Sequence, residues 1–157
     1  MKKTVLLEKH ISLGAKIIDF AGFRMPLSYS SVTDEHNYVR ENVGVFDVSH
    51  MGEFEISGKN STKFIQFICS NDIMKLKPGK AQYNCLVKDN GGIIDDLIVY
   101  KIDEEKYLLV VNASNIEKDL NWIKSLNKNY SCSINNISDR ISLLAVQGPK
   151  AELLCES

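Results

Sequence analysis

The chain lacks the features that would assign it to several large function classes. No apolar stretch approaches the length needed to span a bilayer. The apolar run within Met1-Lys2-Lys3-Thr4-Val5-Leu6-Leu7-Glu8-Lys9-His10 is too short for a secretory signal. Neither sign of charge dominates: 19 Lys and Arg against 20 Asp and Glu leave a formal net charge of −1, which removes a broad electrostatic grip on nucleic acid or an anionic membrane. Cys69, Cys85, Cys132 and Cys155 are widely spaced, with no C-x-x-C and no zinc-finger spacing, so they are expected to be free, mostly buried thiols in a reducing, cytoplasmic setting. G-x-G-x-x-G, P-loop and H-E-x-x-H motifs are missing, as are internal repeats and low-complexity segments. What is present is an ordinary globular composition: 157 residues, 44% apolar and 25% charged, enough for one domain with a real core.

The pattern along the chain predicts an α+β fold built mainly from antiparallel sheet with flanking helices. Thr4 is expected to cap a first helix that Gly14 ends, and Lys16 to Phe20 reads as a strand. Gly22 to Ser31, with its Gly, Pro and Ser, reads as a loop, followed by a helix from Ser31 or Thr33 to Asn42 with Gly44 as its C-cap. Val45 to Ser57 is a long strand or a strand–loop–strand. Asn60 is expected to cap a helix with Phe64, Ile65, Phe67 and Ile68 inward. Ala81 to Val87 and Ile93 to Lys101 form a hairpin through Lys88-Asp89-Asn90-Gly91-Gly92, and Lys106 to Asn112 is a third strand. Ser114-x-x-Glu117 reads as a capping box opening a helix to about Asn127, with Ile116, Leu120, Ile123 and Leu126 inward. Tyr130 to Ile137 and Arg140 to Gln147 read as strands, and Pro149 as the first turn of a last helix. Ser157 falls about two turns into that helix. The chain is expected to be part of something longer, with Leu153, Leu154 and sheet edges favouring association.

The chemistry concentrates in Ile93-Ile94-Asp95-Asp96-Leu97-Ile98-Val99-Tyr100. Alternation puts Ile94, Asp96, Ile98 and Tyr100 on one face and Ile93, Asp95, Leu97 and Val99 on the other. Whichever face is buried, one carboxylate lies among apolar neighbours, at a cost of about several kcal/mol unless it is bonded, paired or protonated. Such a placement points to binding or acid–base chemistry, or to a structural Asp satisfied by turn amides. Tyr83, on the partner strand, Tyr100, and Asn112 at the end of the third strand could stack and hydrogen-bond a flat heterocycle, or could be ordinary sheet tyrosines and a helix-entry Asn. Asp47, Ser49 and His50 are the right types for nucleophilic catalysis, but three residues this close in one strand do not adopt triad geometry. No two soft or imidazole ligands recur at metal-binding spacing.

Six segments together resemble one family: Lys16–Leu27, Val43-Gly44-Val45-Phe46-Asp47-Val48-Ser49-His50-Met51-Gly52, Gly91–Tyr100, Val110-Val111-Asn112-Ala113, Glu117-Lys118-Asp119 and Ala145-Val146-Gln147-Gly148-Pro149. They are similar, in order and spacing, to the glycine cleavage T-proteins, tetrahydrofolate-dependent aminomethyltransferases. The resemblance implies that residues 1–157 are the N-terminal portion of the folate-binding domain of that fold, with its remainder and a C-terminal barrel domain absent. It implies transfer of a one-carbon unit from the aminomethyl-lipoyl arm of the H-protein to tetrahydrofolate, giving 5,10-methylene-tetrahydrofolate and ammonia. Tetrahydrofolate is the acceptor, with no metal, flavin or pyridoxal phosphate, and neither nucleic acid nor membrane is a partner. Asp96 matches the functional aspartate near the folate nitrogens, and Met51, Tyr83, Tyr100 and Asn112 match pocket-lining positions; Asp95 is expected to be structural. A rival is a non-catalytic folate-binding relative of the iron–sulfur assembly type. The Asp-Asp-Leu strand and the Asp-Val-Ser-His-Met segment favour the transferase. A folate domain cut from a flavin-dependent demethylase is disfavoured by the T-protein-like helix near Met1, and an inactive assembly fragment is a third reading.

Overall fold

The computed structural model describes residues 1–156. It opens with a two-residue strand β1 (Lys2–Lys3) and a helix α1 (Leu7–Ser12), which starts after Leu6, so Thr4 is not its cap. Strand β2 (Lys16–Phe20) follows as expected. The expected loop after Gly22 is largely a strand, β3 (Phe23–Ser28), antiparallel to β2 and parallel to β1. Pro26 is tolerated because β1 reaches only Phe23 and Arg24, leaving one side of β3 beyond them without a ladder that needs its N–H. Helix α2 (Val32–Glu41) is capped by Ser31, whose Oγ accepts from Asp34 N at 3.3 Å. Gly44 is not a helix cap. It begins strand β4 (Gly44–Asp47), and a Cβ there would lie 2.6 Å from Val39 Cγ2, so glycine permits the close approach of α2 and β4.

Beyond β4 the chain turns at Ser49 and His50 into β5 (Gly52–Ser57), so the strand–loop–strand alternative holds. Helix α3 (Ser61–Ile68) buries Phe64, Ile65 and Ile68. Phe67, expected on the same stripe, is exposed and stacks on Tyr130 with ring centroids 5.7 Å apart. Asn60 stands at the N-cap position of α3 as expected, but its side chain makes no capping bond and its Nδ2 donates to Tyr130 O at 3.0 Å. The strands β6 (Lys80–Val87), β7 (Ile93–Asp103) and β8 (Lys106–Val111) form a meander. The β6–β7 loop is closed by Lys88 N to Gly92 O at 2.8 Å and Gly91 N to Lys88 O at 2.9 Å.

Helix α4 (Ile116–Leu126) is entered through a 3-10 turn at Ala113–Asn115, and the expected Ser114–Glu117 capping box does not form. Ile123 is fully buried, while Ile116, Leu120 and Leu126 pack partly buried against the core. Strand β9 (Ser133–Asn136) completes a five-stranded antiparallel sheet of order β6-β7-β8-β5-β9. Its inner face presents Phe54, Ile56, Leu86, Leu97, Val99, Tyr107, Leu109 and Val111 to α3 and α4. Burial of each such side chain is worth about 1.5–3 kcal/mol, which makes this interface the main stabilising feature of the unit.

A 3-10 turn at Ser138–Arg140 replaces the start of the last expected strand, which is the shorter β10 (Leu144–Gln147), antiparallel to β4. Helix α5 (Ala151–Cys155) closes the described chain; the expected continuation to Ser157 lies outside the described residues. Two compact units result: Met1–His50 with the segment from Ser142 onward, and Met51–Ile141. The α+β expectation holds, the only parallel pairing among the described residues being β1 with β3. No helix among them is long and apolar enough to cross a membrane. All four cysteines are free, Cys69 and Cys132 buried, Cys85 partly so and Cys155 exposed.

Candidate functional site

The five-stranded sheet carries α3 and α4 on one face, and its strand registers place the candidate residues on the other. Cys85 pairs with Asp96, and because Leu97 pairs with Val111, Asp96 lies level with Asn112. Gly52 also pairs with Val111, which puts Met51, just ahead of β5, at the level of Asn112. The next cross-strand row on this face is Tyr83, Ile98, Val110 and Glu53, and the one after it is Ala81, Tyr100, Leu108 and Glu55. Met51, Tyr83, Asp96, Tyr100 and Asn112 therefore share one sheet face. Strands about 4.8 Å apart bring the members of adjacent columns into side-chain reach.

Asp96 is exposed and anchored at both oxygens. Tyr83 Oη donates to its Oδ2 at 3.1 Å, and Asn112 Nδ2 donates to its Oδ1 at 3.1 Å. The hydrogen bond to Asp96 and then its negative charge raise the Tyr83 hydroxyl above the ordinary phenol range, so it stays a donor. Each carboxylate oxygen keeps acceptor capacity after one bond. The group is thus a fixed, exposed acceptor beside the Tyr83 ring. Met51 and Tyr100 are half-buried on the same face.

Alternation left open which of the two carboxylates is buried. The buried one is Asp95, 7% exposed, on the inner face with Leu97 and Val99. Asp95 points inward by alternation with Leu97 and Val99, and a register shift opposite Leu86 and Val87 puts a bulge at Ile94 that leaves Ile93 exposed. Asp95 accepts from Asn115 Nδ2 at 2.8 Å, Asn112 Nδ2 at 3.0 Å and Asn112 N at 3.4 Å. Burial alone would raise it. Hydrogen bonds from Asp119, Asn112 and Asn115 outweigh burial and hold it below the usual carboxylate range. Its reading as structural agrees with this shell.

Sequence reasoning missed two carboxyls. Asp119 on α4 is fully buried, and burial, followed by the hydrogen bond and charge of Asp95, pushes it up to about 7, against a smaller opposing effect of Lys118. The signal was available: Asp119 falls four residues before Ile123 and three after Ile116, on the apolar stripe of the helix. Glu53 is 1% exposed, on the Asp96 face of the sheet, and burial pushes it up to about 7 despite the Ser138 hydroxyl. Nothing local in the sequence marks it, since alternation puts it opposite the core residue Phe54.

Asp47, Ser49 and His50 do not converge. Asp47 Oδ1 accepts from Ser49 N at 3.0 Å, and its Oδ2 is 3.0 Å from Nε2 of His10, whose Nδ1 is 2.6 Å from Tyr29 Oη. Burial opposes ionisation of Asp47, but the Thr4 hydroxyl, His10 and Ser49 hold its carboxyl at about 2. His50 instead lies edge-on to Phe20 at 5.4 Å. A cleft of about 650 Å³ lies in the first unit, lined by residues such as Pro26, Tyr29, Tyr38, Val45 and Phe46. None of the five candidates lines it, and two of its three carboxylates are already engaged: Asp47 as above, and Glu35 by the Tyr29 and Ser30 amides, each at 2.7 Å. The five candidate residues lie on the sheet face and not in this cleft.

An antiparallel sheet with helices on one face and an anchored Asp between a Tyr and an Asn defines the setting in which the comparisons fall. Residues 6–157 match the family described as the GCVT N-terminal domain, and the chain belongs to that family. Aminomethyltransferases of Thermosipho melanesiensis and Flavobacterium psychrophilum are 54% and 58% identical to it, over 97% and 96% of this chain and 42% of each relative. The solved glycine cleavage system aminomethyltransferase T from Bartonella henselae matches with a TM-score of 0.92 at 35% identity, covering 99% of this chain and 43% of that one. The chain therefore has the fold of the corresponding part of that protein and spans less than half the length of these relatives.

Proposed function

We propose that the protein is a tetrahydrofolate-dependent aminomethyltransferase of glycine cleavage, acting in the cytoplasm, with the face around Asp96 forming part of its folate site. The observation that carries this is the two-sided anchoring of Asp96 by Tyr83 and Asn112 in a chain of this family. In the reaction, the aminomethyl carbon on the lipoyl sulfur of an H-protein loses its bonds to sulfur and to the amine nitrogen. It gains bonds to two folate nitrogens. The protons those nitrogens give up go to the thiolate and to the departing ammonia.

A carboxylate already fixed by two donors needs no reorganisation to face developing positive charge at the transferring carbon, and that is the form of electrostatic catalysis worth most. Asp96 supplies the opposing negative charge and orients the folate N–H groups as their acceptor. Tyr83 and Asn112 set its direction, while Tyr100 and Met51 offer aromatic and thioether surface to a flat ring. In this role Asp96 is the catalytic residue, and Met51, Tyr83, Tyr100 and Asn112 bind folate.

The test is calorimetric titration of tetrahydrofolate into this chain and into its Asp96→Asn variant, with a transfer assay on aminomethylated H-protein. Saturable binding weakened by the substitution, with transfer reduced about a hundredfold or more, is the expected result. Binding unchanged by Asp96→Asn would remove Asp96 from the site. Folate binding without transfer would favour a non-catalytic folate-binding relative.

A further inference from the structure

We infer that the cleft in the first unit is a binding site for a small organic ammonium, a cation carried on an apolar or aromatic body. Nothing in this depends on the folate-transfer reading. The volume of about 650 Å³ falls within the range of small-molecule sites, and residues 26–47 supply the whole lining.

Aromatic rings form the walls. Tyr29, Tyr38 and Phe46 line the cleft, and each is about half exposed. Apart from the tilted approach of Tyr29 to His10, 6.2 Å between ring centroids, none of them meets another ring or a cation among the described residues. The negative face of an aromatic ring attracts an ammonium, and these faces are open. Tyr29 adds a directed acceptor. Its Oη lies 2.6 Å from Nδ1 of His10, and Nε2 of that ring lies 3.0 Å from Asp47 Oδ2. An ionised carboxylate only accepts, so Nε2 carries the proton, and Nδ1 of the neutral ring accepts from the Tyr29 hydroxyl. Burial, then the charges of Glu35 and Asp47, keep that hydroxyl above the ordinary phenol range, so its proton stays in the bond. What Tyr29 retains is its oxygen lone pairs, which suit an N–H donor and not another acceptor.

Charge selects the class of ligand. The charged lining groups are Asp34, Glu35, Asp47 and Arg40, with the His36 imidazole beside them. Three carboxylates thus stand against one guanidinium. Asp47 is ionised: burial opposes this, but the bonds from Thr4, His10 and Ser49 hold its carboxyl at about 2. Glu35 is held below the ordinary carboxylate range by the Ser30 and Tyr29 amides. The bonds from those amides, and from Ser30 Oγ at 3.3 Å, all fall on Oε1, so Oε2 keeps its full acceptor capacity. The side chains of Asp34 and Arg40 are exposed and make no ion pair or hydrogen bond among the described residues. An anion would meet three negative groups and a Tyr29 oxygen with no proton to give. A cation meets open ring faces and two carboxylates with unfilled oxygens, with Arg40 as the opposing charge.

Three probes built on one ring test this: 2-phenylethylammonium, 2-phenylethanol and phenylacetate, titrated into the folded chain at neutral pH by calorimetry and by NMR of the backbone amides. The ammonium is expected to bind saturably, to shift amides of α2 and β4, and to bind about tenfold more tightly than the alcohol, with phenylacetate weaker again. Asp34→Asn, at an exposed side chain without a partner, weakens the ammonium about two- to fivefold and leaves the alcohol unchanged. Tyr29→Phe removes the acceptor and weakens the ammonium about two- to tenfold. Arg40→Gln removes the opposing charge and tightens the ammonium about twofold or more, a gain that loss of folding cannot mimic. Equal binding of the three probes, tighter binding of phenylacetate, or amide shifts confined outside residues 26–47 overturns the inference. So does the absence of saturable binding, or an Arg40→Gln variant that binds the ammonium more weakly.

Discussion

Asp95 and Asp96 are consecutive in β7 yet hold opposite positions: Asp95 is buried under the amides of Asn112 and Asn115, while Asp96 is exposed and bound to Tyr83, and the single side chain of Asn112 bonds both. One carboxylate ties the sheet to the entry of α4, and the other is presented to the open face. On the proposed reading, the pair divides structure from chemistry at adjacent positions.

That division predicts opposite outcomes for two isosteric changes. Asp95→Asn presents an amide to groups arranged for an anion and is expected to cost about 1–3 kcal/mol of stability. Asp96→Asn, at an exposed position, is expected to change stability by about 0.5 kcal/mol or less and to act on folate affinity instead. Urea unfolding of both variants checks this. Equal stability losses would mean that the two aspartates share one role.

Tyr83→Phe removes only the hydroxyl that donates to Asp96. Tyr83 is 63% exposed, so the fold should not register the change. Loss of one hydrogen bond of about 0.5–1.5 kcal/mol to the carboxylate should lower tetrahydrofolate affinity by about two- to tenfold, read by calorimetry. An affinity equal to wild type would leave Asn112 as the only group that sets the direction of Asp96.

The parts of this site that were legible in the sequence are those set by local rules. The turn residues Lys88–Gly92 specified the hairpin, and alternation placed Asp96 with Tyr100 and opposite Asp95. What alternation could not decide was which face is buried, because both carried apolar residues; the helices packed against Leu97 and Val99 decided it. The Ser114–Glu117 capping box satisfied a local rule and still failed. The chain enters α4 through a 3-10 turn, and the Asn112 and Asn115 side chains, which could have capped it, bond the β7 carboxylates instead. Strand β3 was hidden because Pro26 reads as a breaker unless the neighbouring strand is known to be too short to need its N–H. Asp119 was visible as a polar residue on an apolar stripe, but its partner lay 24 residues upstream on another element.

Gly52 lies against the entry of α4. A Cβ there would lie 2.5 Å from Ile116 Cγ1 and 2.8 Å from Val111 Cγ2, against the first turn of α4. Gly52→Ala is expected to destabilise by about 1–3 kcal/mol, since both neighbours are branched and packed. Displacing the start of α4 would also carry Asn115 away from Asp95. The expected signature is a lower Tm together with a shifted Asn112 side-chain resonance. A lower Tm with the resonance unmoved would show that the strain is absorbed within Ile116.

Glu53 gives a pH dependence with a defined sign. Its carboxyl rises from an ordinary 4.5 to about 7 on folding, because burial penalises the charge. Between those values the folded state holds a proton that the unfolded chain has lost. Stability is therefore greatest below the unfolded value and declines as pH rises through about 7, at no more than about 1.4 kcal/mol per pH unit from this group. Asp119, raised in the same direction, adds a decline over a similar range. Glu53→Gln cannot ionise and so removes the contribution of Glu53 alone. Its stability relative to wild type should improve by about 1–3 kcal/mol between about pH 5 and about pH 8, whatever its offset at acid pH from the new amide N–H groups. Urea unfolding of both proteins at the two pH values measures that difference of differences. A difference of zero would mean that Glu53 keeps its charge in the folded protein and has found a partner on the Asp96 face, which would make it a second fixed anion for the folate site rather than a neutral acid beside it.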